Sequence, residues 1–178
     1  MKVALKYIIT LLLMSTLASC YDTKDGNYTE PITVYEKING NWKISSLKQI
    51  DEIAKAASQS LNEVTLTSQF GFSTFTIALN VDNQNRPTTF EIGGSSPAFF
   101  ETEGYWKLNR DYPTTDGSTT VVELYSDAAK QVKTGELIVA STPSATQEME
   151  LKFTRTDKGI AFVSYVYKLT LIEEDHEE

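Results

Sequence analysis

Apolar and polar residues alternate with a period of two along most of the chain, the pattern of strands with one face in a core. In 40–45, Trp42 and Ile44 share a face. In 74–81, Phe75, Ile77, Leu79 and Val81 alternate with Thr74, Thr76, Ala78 and Asn80. A return strand is predicted over 88–92, after a turn cluster ending in Pro87. Over 99–108, Phe100, Trp106 and Leu108 lie on one side and Glu101, Glu103, Tyr105 and Lys107 on the other. Further strands are predicted over 119–125, 136–141, 148–155 and 160–172, the last two joined by the turn signal Asp157-Lys158-Gly159.

One segment breaks this rhythm. Ile50, Ile53, Ala54, Ala57 and Leu61 follow helical spacing, with Asp51 as N-cap, which predicts a helix over 51–61. Residues 62–70 read as a strand or an irregular return. The predicted order is strand, short helix, then consecutive strands. The one repeated motif is glycine-x-tryptophan, at Gly40-Asn41-Trp42-Lys43 and Gly104-Tyr105-Trp106-Lys107. Glycine permits close approach of a neighbour, and the indole two residues on lies on the same strand face. Two such strands can plug a barrel end; the plain alternative is that both tryptophans are ordinary core residues.

Composition agrees with a folded β domain: 178 residues, 40% apolar, 22% charged and 11% aromatic. The first residues differ in kind. Lys2 and Lys6 precede the apolar run from Tyr7 to Leu13, followed by Met14, Leu17, Ala18 and Ser19. That run is well short of the ~20 residues of a spanning helix and reads as a secretory signal. The chain's one cysteine, Cys20, stands at its end, so no intrachain disulfide can form.

Leu17-Ala18-Ser19-Cys20 resembles the lipobox of bacterial lipoproteins. The resemblance implies cleavage of 1–19 and lipidation of Cys20, anchoring the protein in the cell envelope; the plain alternative is an ordinary signal with a chance cysteine. Residues 20–31 then read as the lipidated cysteine and a polar tether. Asp22 and Asp25 partly resemble the acidic export signal of Bacteroidota lipoproteins, interrupted by Lys24, which implies the outer membrane, periplasmic or surface-facing. Loss of Lys2 and Lys6 leaves 14 of the 16 basic residues against 24 acidic ones, a net charge of −10. Such a domain does not favour nucleic acid. Residues 173–178 form an acidic tail.

The first Gly40-x-Trp42 strand resembles that of the lipocalins, in which the tryptophan closes one end of an eight-stranded up-and-down barrel. The wider likeness is to short lipocalin-like lipoproteins of Bacteroidota, with a lipobox, a tether, a first "G-x-W-K" strand, a helical excursion and a later "G-x-W-x-L" strand, here Gly104 to Leu108. The expected fold is therefore all-β and mainly antiparallel: a lipocalin-like barrel of about eight strands over 32–172, with one short helix after the first strand. An immunoglobulin-like sandwich is the next alternative. The resemblance also implies that the 51–61 helix crosses the barrel mouth as a lid or plug, or is fixed against the barrel as core. Arg155 is the candidate for the arginine that packs on the tryptophan in lipocalins.

Enzyme chemistry finds few residues to use. His176 is the lone histidine, in the acidic tail, so a Ser-His-Asp triad has no positioned imidazole. Zinc ligands and a phosphate-binding loop are missing. Glu101 and Glu103 stand roughly 6–7 Å apart on one strand face, but neighbours beside Lys107 read as a solvated face. The expectation is no catalytic residues, no metal and no cofactor. Tyr105, Tyr112, Tyr125, Tyr165 and Tyr167 invite a binding surface, and Phe75, Tyr165 and Tyr167 are the candidate ligand-lining residues of a barrel interior. The leading expectation is a non-catalytic binding module for a small apolar or aromatic ligand or a glycan fragment. The alternative is a structural protein with a filled barrel that docks on an envelope complex. The first requires a cavity; the second requires a filled core and an exposed apolar patch.

Overall fold

A computed structural model describes residues 31–96, 101–112, 114, 116 and 118–173. The lipidation candidate Cys20, the signal segment, Phe100 and the acidic tail beyond Glu173 lie outside the described residues. The compact unit that holds the strands begins at Ile32.

Its elements are α1 (Val34–Ile38), β1 (Gly40–Asp51), α2 (Glu52–Ala56), β2 (Glu63–Thr65), a 3-10 turn (Phe72–Thr74), β3 (Thr76–Val81), β4 (Pro87–Gly93), β5 (Glu103–Leu108), β6 (Thr120–Tyr125), β7 (Lys133–Ser141), β8 (Glu148–Asp157) and β9 (Ile160–Leu171). From β3 to β9 each strand pairs antiparallel with the next, β1 pairs with β3, and β1 also pairs with β9. The eight strands β1 and β3–β9 therefore close an up-and-down barrel of lipocalin type. That closure and the consecutive pairing rule out the two separate sheets of a sandwich. β2 and β3 both run along the same edge of β1, at 48–50 and 40–43, so together they form one wall strand interrupted by residues 66–75.

Alternation places Trp42, Ile44, Leu47, Ile77, Leu79, Phe90, Trp106, Val122, Leu124, Leu137, Met149, Leu151, Tyr167 and Leu169 in one buried cluster. The β8–β9 turn forms as its residues require: Lys158 and Gly159 have φ of 49° and 80°, the two left-handed positions of a type I′ turn.

The β1–α2 region departs from expectation. β1 runs to Asp51, with a register shift between Ile44 and Ser46, and α2 is one turn long. Asp51 caps it as expected, its Oδ1 accepting from the Ile53 and Ala54 amides. Ser58 at φ 55° ends it. Of the expected helical stripe only Ile50 and Ala54 are buried, while Ile53 and Leu61 are 61% and 91% exposed. The stripe mixed one strand residue, one helix turn and the loop beyond.

Candidate functional site

The two Gly-x-Trp motifs meet at one end of the barrel. Trp42 and Trp106 are fully buried. Trp42 Nε1 donates to the Ile38 carbonyl at 2.8 Å, and Trp106 Nε1 donates to the Asn80 carbonyl at 2.8 Å, so neither buried indole lacks a partner. Gly104 is required by packing: a Cβ there would meet the Tyr125 carbonyl oxygen at 2.3 Å and the Phe90 ring at 2.8 Å. Gly40, at φ 121°, sits where a side chain would press on Leu171.

α1 closes this end. Val34 and Ile38 are fully buried in the core cluster. Thr33 and Glu36 form a reciprocal capping box, and the Val34 amide donates to the Asp111 carbonyl at 2.8 Å. Asn85 of the β3–β4 turn donates to Glu36 Oε1. Hydrogen bonds from Thr33 hold the Glu36 carboxyl below the usual carboxylate range. The chain thus comes into the domain through a plug tied to two loops.

The candidate ligand-lining residues are interior. Phe75 and Tyr167 are buried with ring centroids 5.1 Å apart, and Tyr165 is partly buried against the same cluster. The Tyr167 hydroxyl is buried without a hydrogen-bond partner, and burial pushes its pKa far up. Clefts of about 310 to 540 Å³ lie on the outer wall and rims, and none of them is lined by Phe75, Tyr165 or Tyr167. The other tyrosines do not join these three. Tyr125 turns to the outer wall, where its hydroxyl donates to Glu123 and Lys107 lies 5.0 Å from its ring.

The opposite end is the mouth. Leu66 and Phe72 are partly buried on the core, and the segment 66–75 is pinned to the end of β4 by Ser95, whose Oγ donates to the Phe70 carbonyl and whose amide donates to Thr74 Oγ1. This segment, and not α2, covers the mouth. α2 instead packs on the outer wall. Ile50 pairs with Ser164 on the face opposite the core, and Ile50, Ala54 and Ser164 are buried outside the core cluster. Glu52 accepts from Lys152 Nζ at 2.7 Å and from Ser164 Oγ at 2.5 Å, and Ser164 lies 2.9 Å from Thr154 Oγ1. The hydrogen bonds from Lys152 and then Ser164 hold the Glu52 carboxyl below its ordinary value.

Arg155 is corrected as the tryptophan's partner. It pairs with Val163 near the β8–β9 turn and lies 5.4 Å from the Phe162 ring, whereas Trp42 pairs with Leu171 at the other end of β9. Glu101 and Glu103 line an outer cleft of about 450 Å³ with Glu91, which stands directly across from Glu103. Among the described residues no group of three or more His, Cys, Asp or Glu is placed to hold a metal ion, and no helix is long and apolar enough to cross a membrane.

A sequence profile of one protein family, described as "Domain of unknown function (DUF5004)", matches residues 19–170, which takes in both Gly-x-Trp motifs and every barrel strand but the last residue of β9. The chain belongs to the DUF5004 family. No curated protein and no solved structure matches it. As a DUF5004 domain it carries a match that begins at Ser19 and so includes Cys20.

Sequence reasoning missed α1, although its signal was present: Thr33-x-x-Glu36 before the first Gly-x-Trp is a capping-box pattern. The Glu52–Lys152–Ser164 cluster had no such signal, because Glu52 lies a hundred or more residues from the other two.

Proposed function

We propose that this DUF5004 protein is a lipid-anchored, non-catalytic interaction module of the cell envelope, with Cys20 as the anchor and the barrel mouth as the docking end. The anchor rests on the Leu17-Ala18-Ser19-Cys20 lipobox, the short apolar run before it and the polar stretch after it. Two or three acyl chains, at roughly 0.8 kcal/mol per buried methylene, hold such a domain on a membrane. The lipobox and tether are the features by which the chain resembles the lipoproteins of Bacteroidota, and Asp22 and Asp25 support the outer membrane as the destination.

The observation that carries the docking reading is the contrast between a filled interior and an apolar mouth. The interior is occupied by large side chains, while Ile53, Leu61, Val64, Phe70 and Ile160, 50% to 91% exposed, all lie at the mouth end. Ile53, Ile160 and Phe162 line an apolar groove there. Solvated apolar side chains gathered on one end fit a contact surface. The test is photo-crosslinking in the native cell, with the reactive side chain at Ile53 or Ile160 and, as the control, at Ile172 on the opposite end. Defined protein adducts from the first two positions alone are expected. Adducts from all three, or from none, overturn docking by the mouth.

A second reading, a module holding a small apolar or aromatic ligand or glycan fragment inside the barrel, is favoured by the Tyr167 hydroxyl. A buried donor without a partner is costly, by about 1–3 kcal/mol, and a ligand atom would satisfy it. That ligand has to displace segment 66–75. Native mass spectrometry of the protein isolated from its own cells tests this reading: a reproducible extra mass, lost on denaturation and absent in Tyr167→Phe, supports it.

A further inference from the structure

We infer that residues 66–74 form a strap that opens while the barrel stays folded, and that the space behind it takes a small, neutral aromatic ligand bearing a hydrogen-bond acceptor; this rests on the second reading and names its ligand class and its gate. Every barrel strand contributes buried residues, but none of residues 61–74 is buried. The chain leaves the wall where the Leu66 amide donates to the Leu47 carbonyl at 2.8 Å, and rejoins it where the Ile44 amide donates to the Phe75 carbonyl at 3.1 Å. Between these points the strap bonds chiefly to itself: the Phe72 amide donates to the Gln69 carbonyl and the Thr74 amide to the Gly71 carbonyl. The Leu47 amide ties its start by donating to Thr67 Oγ1. Apart from the Phe75 amide, which donates back to the Phe72 carbonyl, only Ser95 bonds residues 68–74 from outside the strap among the described residues. Its Oγ donates to the Phe70 carbonyl at 2.8 Å and its amide to Thr74 Oγ1 at 2.9 Å. Gly94 lets this clasp close, since a Cβ there would meet the Thr74 carbonyl oxygen at 1.9 Å. The clasp holds Phe70 at φ 53°, a conformation a bulky side chain rarely takes. Few buried contacts and a few exposed bonds to the rest of the fold are the features of a segment that opens locally.

What lies behind the strap selects the ligand. Leu66 and Phe72 are the strap side chains packed on the core cluster, which contains Phe75 and Tyr167. Lifting the strap withdraws Phe72 and leaves the core short of one aromatic ring, a gap that a ring of similar size fills. The Tyr167 side chain is 2% exposed, its ring lies 5.1 Å from that of Phe75, and its hydroxyl has no hydrogen-bond partner. Burial and then Tyr165 push its pKa up, and no cation acts on it. The phenol is therefore a neutral donor whose missing partner is an acceptor such as a carbonyl or ether oxygen. An anionic ligand finds no counter-charge there and would leave water unpaired, at high cost.

The test follows amide exchange residue by residue in the full chain, and ligand binding by the ring signals of Phe75 and Tyr167. The Phe72 and Thr74 amides are expected to exchange on the order of a hundredfold faster than the core amides of β8 and β9. Ser95→Ala removes one clasp bond and is expected to speed both by one common factor, roughly fivefold, with β8 and β9 unchanged. Strap amides that exchange at the rate of β8 and β9, or that ignore Ser95→Ala, overturn the inference. Gly71→Cys with Ser95→Cys, in a chain carrying Cys20→Ala, supplies a reversible lock: a Cβ at Gly71 would stand 3.5 Å from the Ser95 Cβ, within the span of a disulfide. Acetophenone is the probe, compared with ethylbenzene, which lacks the acceptor, and benzoate, which is charged. Acetophenone is expected to bind the oxidised double variant roughly tenfold or more weakly than the reduced one. If the double variant does not fold, Ser95→Ala replaces it, with acetophenone bound about fivefold more tightly because the open state is more populated. Tyr167→Phe is expected to weaken acetophenone about fivefold and to leave ethylbenzene unchanged. Equal affinity in locked and unlocked chains, benzoate bound as tightly as acetophenone, or an acetophenone affinity that ignores Tyr167→Phe overturns the inference. A strap that does not open separately, in a protein that still carries the Tyr167-dependent extra mass from its own cells, overturns this inference alone; loss of that mass and of acetophenone binding together overturns the second reading as well.

Discussion

The two ends of this barrel are built on opposite principles. At the closed end, buried tryptophans from β1 and β5, a capped plug and two glycines fill the barrel, and the large apolar side chains left in solvent, Ile32, Tyr112 and Ile172, stand apart from that packing. At the mouth, one helical turn sits on the outer wall, β2 pairs only with β1 among the described residues, and Ile53, Leu61, Val64, Phe70, Val132 and Ile160 stay in solvent. The closed end holds the fold, and on the docking proposal the mouth is the contact surface. Substitutions at the two ends should therefore separate stability from contact.

Trp106→Ala is expected to have the largest effect. It removes a fully buried indole and orphans its bond to the Asn80 carbonyl, and truncations of this kind cost about 3–5 kcal/mol. Equilibrium denaturant unfolding reads it. A loss below 1 kcal/mol would mean that the closed end does not carry the fold, and the contrast between the ends would fail.

Gly104→Ala sharpens the same point with the opposite sign of volume. The added methyl meets a backbone carbonyl at 2.3 Å, which cannot swing away, whereas at Gly40 the nearest atom is a leucine methyl at 2.9 Å. Gly104→Ala is expected at the upper end of the ~1–3 kcal/mol cost of overpacking. Gly40→Ala relieves its clash by a rotamer change but keeps the strain of a positive φ, so the two variants should differ in how the Leu171 methyl signals shift.

This asymmetry also explains which parts were legible in the sequence. Period-two alternation in β3, β8 and β9 shows because each strand has one face in the core and one outside. The Gly-x-Trp motifs were legible because a glycine and an indole two residues apart make a local demand. α2 was misread because Ile50 belongs to an outward strand face that a helix then covers, so an apolar residue on the outside imitated a helical stripe. Its placement depends on Lys152 and Ser164, and no local period encodes a contact between distant strands. β2 was half legible for the same reason: residues 62–70 read as a strand or an irregular return, and a three-residue strand is settled only once β1 lies beside it.

Glu52→Gln probes the join between helix and wall. It keeps the shape but weakens the charge-assisted bond to Lys152, and a loss of roughly 1–2 kcal/mol is expected near neutral pH. The folded Glu52 carboxyl titrates below its ordinary value of 4.5. Its stabilising contribution is therefore complete above about that pH and is lost as pH falls through the lower folded value. Lys152, Ser164 and Lys55 are the groups that act on it. The gap between wild type and Glu52→Gln should close on acidification, measured by urea unfolding at stepped pH. A gap that stays constant down to low pH would assign α2 to packing by Ile50 and Ala54 alone.

The smallest effect on stability is the most informative one about the mouth. Ile53→Ser and Ile160→Ser, together, replace two side chains that are 61% and 67% exposed. Neither fills the core, neither caps a helix, and Ile160 lies at the solvent end of the β8–β9 hairpin. Exposed substitutions of this kind stay within about 0.5 kcal/mol each, so the thermal midpoint should barely move. The apolar groove they share with Phe162 loses two of its walls all the same. A normal midpoint with photo-crosslinking from Phe70 abolished would separate the two ends cleanly, one serving the fold and the other the contact. A drop in midpoint comparable to Trp106→Ala would instead make the exposed isoleucines part of the framework, and the mouth would then be an open flank of the core.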